Sequence, residues 1–345
     1  MRSLRFIFVS VFLLLFCSCQ EVLDFDPGDI SPYPVLISKP DSEDSTLSVY
    51  ISRSRFFLDE NDYPSPITDA NVTMSVNGVA LAGFYDNSSE RYLFGVQPHE
   101  GDTLSVTARV PGFDKAMIAG TRVPMKPVVE VVDFVIDTSY SYFREWDSTW
   151  VKERVFYRIK FKITSASPKE FYSVRAYMSE KVDENSPWLW DTNEAAFVQQ
   201  YFECNDPIVN TTDMEGLLEG EGSTNFSGDE MVFSNDMFQG GAHEFTIEFE
   251  RWENGTGYYS LDYSQIPLRL HVRSLSRDLY LYQMTTKQQS DMDIFFGEPV
   301  QVHCNIDGGL GVFGASSLRK ISMPKPRFEH FHHDNDYVQY YKKKK

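Results

Sequence analysis

Positively charged side chains are scarce in this sequence. It holds 32 lysine and arginine residues against 50 aspartate and glutamate residues, which gives a formal net charge of −18 at pH 7. A surface of this sign repels the phosphates of nucleic acids and the headgroups of anionic membranes. Nucleic acid is therefore excluded as a partner. The charge is typical of a solvated surface, and it would also attract cationic ligands or divalent metal ions.

Recognisable catalytic and cofactor motifs are missing as well. His243 and Glu244 are not followed by the second histidine of H-E-x-x-H, and no nucleophile elbow, P-loop or C-x-x-C pair occurs. Residues 309–314 match G-x-G-x-x-G, but only about thirty residues follow them, too few for a dinucleotide-binding sheet. The histidine-rich segment 330–336 has metal-ligand types, yet it lacks hydrophobic periodicity and precedes a lysine run. We predict a protein that is not an enzyme and has no metal or cofactor.

The sequence has no apolar run long enough to cross a membrane. Two arginines precede the apolar segment 6–16, whereas a spanning helix needs about 20 residues. This pattern is typical of an export signal. The segment ends in C-S-C at 17–19, where a cysteine after the small residue Ser18 resembles the lipobox of bacterial lipoproteins. We predict a signal peptide over 1–18 and a Cys19 whose acyl chains anchor the protein in the bilayer; an ordinary signal peptide is the alternative.

Cysteine is rare in the remainder of the chain. Beyond the N-terminal pair, only Cys204 and Cys304 are present. Two cysteines can pair in an oxidising compartment, and a bridge between positions so far apart would constrain the unfolded chain strongly. Sequence spacing cannot decide between a disulfide and two free thiols. We expect a Cys204–Cys304 disulfide, with two free thiols as the alternative.

Strand patterns dominate the rest of the sequence. Aromatic residues make up 15% of the chain, and their wide rings favour the pleated surface of a sheet. Short alternating segments follow one another about every ten residues, separated by turn dipeptides such as Asn77-Gly78, which is typical of antiparallel sandwiches. The segment Val155–Ile163 alternates most clearly. We predict a mainly all-β fold with two antiparallel sandwich-like domains.

One or two short helices are expected in the second domain. Ser276 can cap a helix in which Leu275, Leu279 and Tyr282 share a face, and 193–202 is a second, shorter candidate. Pro124 and Pro127 mark the domain boundary. The predicted organisation is listed here in order: a signal peptide over 1–18, an acidic and proline-containing linker over 19–45, an immunoglobulin-like or transthyretin-like sandwich over 46–125, a larger β domain over 126–323, and a flexible tail over 324–345.

A glycine-rich segment near the C-terminus carries a family resemblance. Residues 299–317 are similar to the N-I-x-G-G-x-G-x-F-G motif of a Bacteroidota lipoprotein family known as domain of unknown function 4249. Asp69–Met74, Phe233–Phe238 and Leu275–Tyr282 resemble further segments of that family. The resemblance implies an outer-membrane lipoprotein, often encoded beside a TonB-dependent transporter, without established activity. It leaves open whether the protein faces the cell surface or the periplasm.

The same glycine-rich motif is predicted to have an architectural role. Glycines permit positive φ and close approach of backbones, and the apolar residues between them can plug a core. No nucleophile, acid pair or ligand set lies among them. The motif consists of Asn305, Gly308, Gly309, Gly311, Phe313 and Gly314.

Aromatic residues in predicted loops are the candidate contact sites for a ligand or partner. Tryptophan and tyrosine beside acidic or turn-forming residues can stack on sugar rings or anchor a protein partner. The structural alternative is that they fill the core or cap its ends. The candidates are Trp188, Trp190, Trp252, Tyr258 and Tyr259.

Taken with the resemblance, these patterns predict a non-enzymatic accessory lipoprotein. It would be held in the outer membrane by acylated Cys19 and would partner a TonB-dependent transporter in ligand capture or uptake; the transporter is implied by the resemblance alone. Two alternatives are a glycan-binding surface module and a structural or adhesion protein.

Overall fold

The computed structural model describes residues 31–54, 65–145, 148–179, 182–183, 186–190, 192–210, 226–251, 266–291 and 300–333. The strands of the first half are β1 (Pro34–Ser38), β2 (Leu47–Arg53), β3 (Asn71–Val76), β4 (Val79–Leu81), β5 (Phe84–Asp86), β6 (Arg91–Phe94), β7 (Thr103–Arg109) and β8 (Met117–Arg122).

Longer strands and the helices follow. The strands are β9 (Val128–Glu145), β10 (Ser148–Thr164), β11 (Phe171–Ser179), β12 (Val182–Asp183), β13 (Ser186–Trp190), β14 (Phe197–Gln200), β15 (Phe202–Cys204), β16 (Phe226–Gly228), β17 (Met231–Ser234), β18 (Ala242–Arg251), β19 (Leu268–Leu275), β20 (Leu310–Phe313), β21 (Ser316–Ser322) and β22 (Arg327–His333). The helices are a 3-10 turn (Glu194–Ala196), a short α-helix (Pro207–Asn210) and a long α-helix (Arg277–Asp291).

The first sandwich packs two sheets, in the orders β20-β1-β2-β6-β5 and β4-β3-β7-β8, around one core. Alternation of apolar and polar residues builds this core, because successive side chains of a strand point to opposite faces. In β7, for example, Leu104 and Val106 are buried while their neighbours face outward. The turn between β3 and β4 places Asn77 and Gly78 at positive φ (51° and 82°), as the sequence predicts for this dipeptide.

The second sandwich packs the sheet β16-β15-β18-β10-β9-β22 against β14-β11-β19-β21, with β17 also paired to β11. The alternation predicted in β10 is confirmed, because the core between these sheets buries every second residue of this segment: Val155, Tyr157, Ile159, Phe161 and Ile163. The long helix covers part of the outer face, where Tyr280 stacks on Phe171 with ring centroids 4.4 Å apart. The predicted all-β, sandwich-like fold with short helices is therefore confirmed.

The N-terminal domain boundary is wrong. Strand β1 lies inside the predicted linker, yet its Leu36 is 0% exposed and belongs to the first core. Strand β1 also pairs in parallel with β20, from the far end of the chain. Ile306, Phe313 and Ala315 thereby join the core of the first sandwich and not that of the second. Pairing between strands so remote in sequence leaves no local signal. The residue pattern therefore showed neither that β1 belongs to the first sandwich nor that β20 does.

Two smaller predictions also need correction. The expected helix over 193–202 is only the 3-10 turn, since the chain then forms β14 and pairs with β11. The predicted flexible tail contains β22, which pairs in parallel with β9 and is fixed by Arg327, whose Nη2 lies 2.6 Å from Asp133 Oδ2. The free edge of β9 supplies the backbone partners that recruit this segment. Residues 334–345 lie outside the described part of the chain.

Candidate functional site at the far end of the second sandwich

The second sandwich has one end tied to the first. Ser316, opposite Leu275 in the sheet, donates from Oγ to Asp41 Oδ2 at 2.6 Å. Ser317 donates from Oγ to the carbonyl oxygen of Pro124 at 2.6 Å. We call this the junction end. The first bond joins the hairpin between β1 and β2 to the start of β21, and the second joins the connector between β8 and β9 to it.

The opposite end, which we call the distal end, carries the candidate aromatic segments. It is marked by Ser179 at the end of β11, Arg251 at the end of β18 and Leu268 at the start of β19. Trp188 and Trp190 lie in β13, which follows β11 through β12. Trp252, Tyr258 and Tyr259 lie outside the described residues, in the segment between β18 and β19. Both predicted contact segments are therefore connected to strands that end or begin at the distal end.

A cleft of about 520 Å³ opens at this distal end. Its wall includes Thr192, just after β13, and Ile266, just after the segment 252–265. Both aromatic segments are thus adjacent in sequence to residues that line the cleft. Its volume lies within the range of about 300–1,000 Å³ that small-molecule sites occupy. Along the chain, Trp190 lies two residues before Thr192, which lines the cleft.

One arginine, Arg269, contacts several of the residues that line the cleft. The guanidinium of Arg269 lies 3.8 Å from the ring centroid of Phe197, which is cation–π geometry. Its Nη1 is 2.9 Å from Glu194 Oε1, and its Nη2 donates to the carbonyl oxygen of Thr192 at 3.1 Å. These contacts hold the guanidinium and the aromatic ring in one fixed stack. Such a surface suits planar or ring-shaped groups and peptide side chains.

A second polar cluster lies on the outer face of the same sheet, between the cleft and the long helix. We call it the outer-face cluster, and it consists of Ser173, Arg175, His271, Arg273 and Lys320. Arg175 and Lys320 stand opposite His271 on its two neighbouring strands. The sequence analysis missed these residues. The signal was present in the strand L-R-L-H-V-R-S-L, in which basic residues alternate with apolar ones.

Burial sets the charge state of His271. The ring is 8% exposed and its centroid lies 4.3 Å from that of Tyr177. Burial lowers the pKa of His271 to about 4, and the positive charges of Arg273 and Lys320 add to the shift. The carboxylate of Glu194 acts in the opposite direction but does not cancel these effects, so the imidazole is neutral at physiological pH.

This depressed pKa predicts an acid-sensitive fold. Unfolded histidine titrates near pH 6.5, so between about pH 6.5 and pH 4 the unfolded chain binds a proton that the folded chain does not. Stability from this group is complete above about pH 6.5 and is lost as the pH falls toward about 4, by up to about 3 kcal/mol. Urea unfolding at about pH 7 and pH 4.5 should show a smaller loss in His271→Phe than in the wild type. Equal losses in the two proteins would contradict the assignment.

The glycine-rich motif binds the C-terminal part of the chain to the first sandwich. The side-chain amide of Asn305 accepts from Phe313 N at 2.9 Å and donates to Phe313 O at 2.8 Å, as a strand backbone would. Asp307 exchanges two 2.9 Å backbone bonds with Ile118 of β8. Since β20 pairs with β1, the motif contacts both sheets of the sandwich. This geometry supports the predicted architectural role.

The four glycines meet two different requirements. Gly308 and Gly311 adopt positive φ (77° and 112°), and a Cβ on either would overlap a carbonyl oxygen, of Ala116 and Leu36 respectively. Gly309 and Gly314 need space only: a Cβ on Gly309 would lie 2.7 Å from Pro34 O, and one on Gly314 would lie 2.7 Å from the Cβ of Leu279. Positive φ is therefore required at two of the four positions, and close approach of neighbouring atoms occurs at all four.

The expected disulfide is not formed. Cys204 and Cys304 are both free thiols, the first buried in the core of the second sandwich and the second exposed beside the glycine-rich motif. Burial raises the pKa of Cys204 to about 12, so this thiol is held protonated and unreactive. Cys204 behaves as a small core residue. Cys19 lies outside the described part of the chain.

Within the described ranges, no helix combines the length and the apolar character that crossing a membrane requires.

Comparison with known proteins identifies the family. No curated protein matches the sequence. The chain is similar to a solved structure, the CupB6 tip adhesin from Pseudomonas aeruginosa, with 10% identity over 84% of this chain and 99% of that chain, and with a TM-score of 0.17. A score this low supports no argument. The family described as "Domain of unknown function (DUF4249)" matches residues 20–322, and this protein therefore belongs to the DUF4249 family.

Proposed function

We propose that this chain is a non-enzymatic accessory lipoprotein of the outer membrane. Acylated Cys19 holds it in the bilayer, and the distal end of the second sandwich contacts a TonB-dependent transporter or the ligand that the transporter takes up. Family membership supports the proposal, because the resemblance implies lipoproteins encoded beside such transporters. The cleft at the distal end is the proposed contact surface.

The observation that carries this proposal is the direction of β1. Its last residue, Ser38, accepts a backbone bond from Gly314 N at 3.1 Å and leads into Asp41 at the junction end. Its first residue, Pro34, therefore lies at the opposite end of the first sandwich. A lipid on Cys19, about 15 residues earlier, would attach the molecule at that end. The distal cleft would then project away from the bilayer anchor, toward a partner.

Trp188 and Trp190 provide the test of the contact surface. Full-length tagged protein is purified from detergent-solubilised outer membranes, and the proteins that accompany it are identified. We expect a large β-barrel transporter in stoichiometric amount. Trp188→Ala and Trp190→Ala should each weaken its capture about tenfold or more, because one anchoring tryptophan contributes roughly 2 kcal/mol.

Phe84→Ala is the matched control. Phe84 is 63% exposed in β5, on the first sandwich, so its loss removes a large surface aromatic residue remote from the distal end. Capture should remain at the wild-type level. Equal loss in all three variants would contradict a distal contact surface. Absence of any barrel, together with retention of the protein on polysaccharide affinity gels, would replace the transporter proposal with the glycan-binding alternative.

Thermal unfolding of each variant separates contact from packing. A tryptophan that only fills the core should lower stability by several kcal/mol when it is truncated. A tryptophan that binds a partner should be quenched by neutral acrylamide in the free protein and protected in the complex. Unquenched tryptophans whose loss unfolds the chain would refute the assigned site.

A further inference from the structure

We propose that the outer-face cluster binds an oxyanion, the carboxylate or phosphate group of a small acidic ligand. The site lies between Ser173, Arg175 and His271, on the outer face of β11 and β19. It is separate from the distal cleft, and the inference does not depend on the proposed function.

Strand register brings these residues together. Arg175 stands directly opposite His271, and Ser173 stands directly opposite Arg273. Directly opposed Cβ atoms in an antiparallel pair are about 4.5–5.5 Å apart, and diagonal ones about 7–8 Å. The alternate residues of both strands, Val174 and Val272 among them, are buried in the core. The four polar side chains therefore share one small patch on the opposite face.

Three buried atoms of this patch have unmet hydrogen-bonding capacity. Among the described residues, Ser173 Oγ, Arg175 Nε and His271 Nε2 have no hydrogen-bond partner. Ser173 is 0% exposed and His271 is 8% exposed. Buried polar atoms in proteins are nearly always paired, and leaving one unpaired costs roughly 1–3 kcal/mol. Three such atoms on neighbouring positions indicate one shared partner.

The chemistry of the three atoms points to an acceptor with several oxygens. The serine hydroxyl and the arginine Nε–H both donate, and the neutral imidazole donates in its Nε2–H tautomer. A carboxylate or phosphate offers enough lone pairs for three donors, and a charged acceptor makes stronger bonds than a neutral one.

Cationic side chains border the patch, and two of them already have carboxylate partners. Arg175 pairs with Glu230 at 2.6 Å and Arg273 with Asp41 at 3.4 Å. Lys39, whose ammonium lies 4.6 Å from the ring centroid of Tyr282, adds a further positive charge from the first sandwich.

Lys39 is influenced by the same charged groups. Its pKa is lowered, mainly by burial, while Glu230 acts in the opposite direction and Arg175 adds to the lowering. A bound oxyanion would offset this repulsion between cations. In a chain with a net charge of −18, this group of cationic side chains is a local departure from the overall charge.

Calorimetric titration tests the inference. Full-length protein in neutral detergent is titrated with sodium phosphate and, separately, with sodium citrate, with sodium chloride as the ionic-strength control. We expect saturable binding of at least one of the two oxyanions and none of chloride. Ser173→Ala and His271→Phe should weaken it about tenfold or more. The anion that binds more tightly identifies the source as phosphate or carboxylate.

Lys160→Gln is the charge-matched control. Lys160 lies on β10 in the other sheet and pairs with Glu244 at 2.7 Å, so its replacement removes one cation without touching the patch. It should bind as the wild type does. Ser173→Ala should fold normally, because it deletes a hydroxyl that has no partner among the described residues. Absence of saturable binding to the wild type, or equal binding by wild type, Ser173→Ala and Lys160→Gln, would overturn the proposal.

Discussion

Replacing Gly311 with valine is expected to lower the free energy of unfolding by about 3–5 kcal/mol. The residue has φ of 112°, a region that β-branched residues avoid. A Cβ there would overlap the carbonyl oxygen of Leu36, in the strand that pairs with β20. Backbone strain and overpacking each cost about 1–3 kcal/mol, and here both occur at one atom. Urea unfolding followed by circular dichroism measures the effect.

Gly95→Val is the control for this prediction. Gly95 has open space around its Cα, with nothing within 4 Å of an added Cβ, and its φ is outside the positive range. The same chemical change there should shift stability by less than about 1 kcal/mol. If Gly311→Val unfolds at the same urea concentration as Gly95→Val, the motif does not depend on glycine at position 311.

Replacing Cys19 with alanine is expected to abolish acylation completely. The thiol is the acceptor of the diacylglyceryl group in the lipobox interpretation, and an alanine side chain cannot form the thioether. Cells fed labelled palmitate should show label in the wild-type protein and none in Cys19→Ala. The variant should accumulate unprocessed or leave the membrane fraction, because the acyl chains supply the bilayer attachment.

The neighbouring cysteine supplies an internal control for the anchor. Cys17 follows the bulky Phe16, whereas Cys19 follows Ser18, so Cys17→Ala should keep full labelling. Incorporation of labelled palmitate into Cys19→Ala would refute the assignment. Loss of label in Cys17→Ala alone would move the anchor to that residue.

Local patterns in the sequence were sufficient to predict most of the sheets. Strands such as β10 alternate over nine residues, and the Asn77-Gly78 turn has a direct backbone requirement, so each is determined by neighbours in the chain. The same holds for the long helix, where Ser276 Oγ accepts from Leu279 N at 3.4 Å, as expected of a cap.

Contacts between remote segments were not predictable in the same way. The parallel pairing of β1 with β20 and the bond from Ser317 to Pro124 depend on packing that no single segment encodes. The cysteine prediction failed for the same reason, since sequence spacing carries no information on the distance between Cys204 and Cys304. At the candidate site, the aromatic residues were visible as a motif. The outer-face cluster emerged only when β11 and β19 were brought side by side.

The pairing of β1 with β20 also sets an order for folding. The first sandwich begins at Pro34, but its last strand, β20, ends at Phe313. During synthesis the first sandwich must therefore keep an open sheet edge at β1 until β20 and the strands β9 to β19 before it have been made. Unpaired edges of this kind are prone to aggregation. The arrangement means that truncation before β20 would leave the first sandwich incomplete.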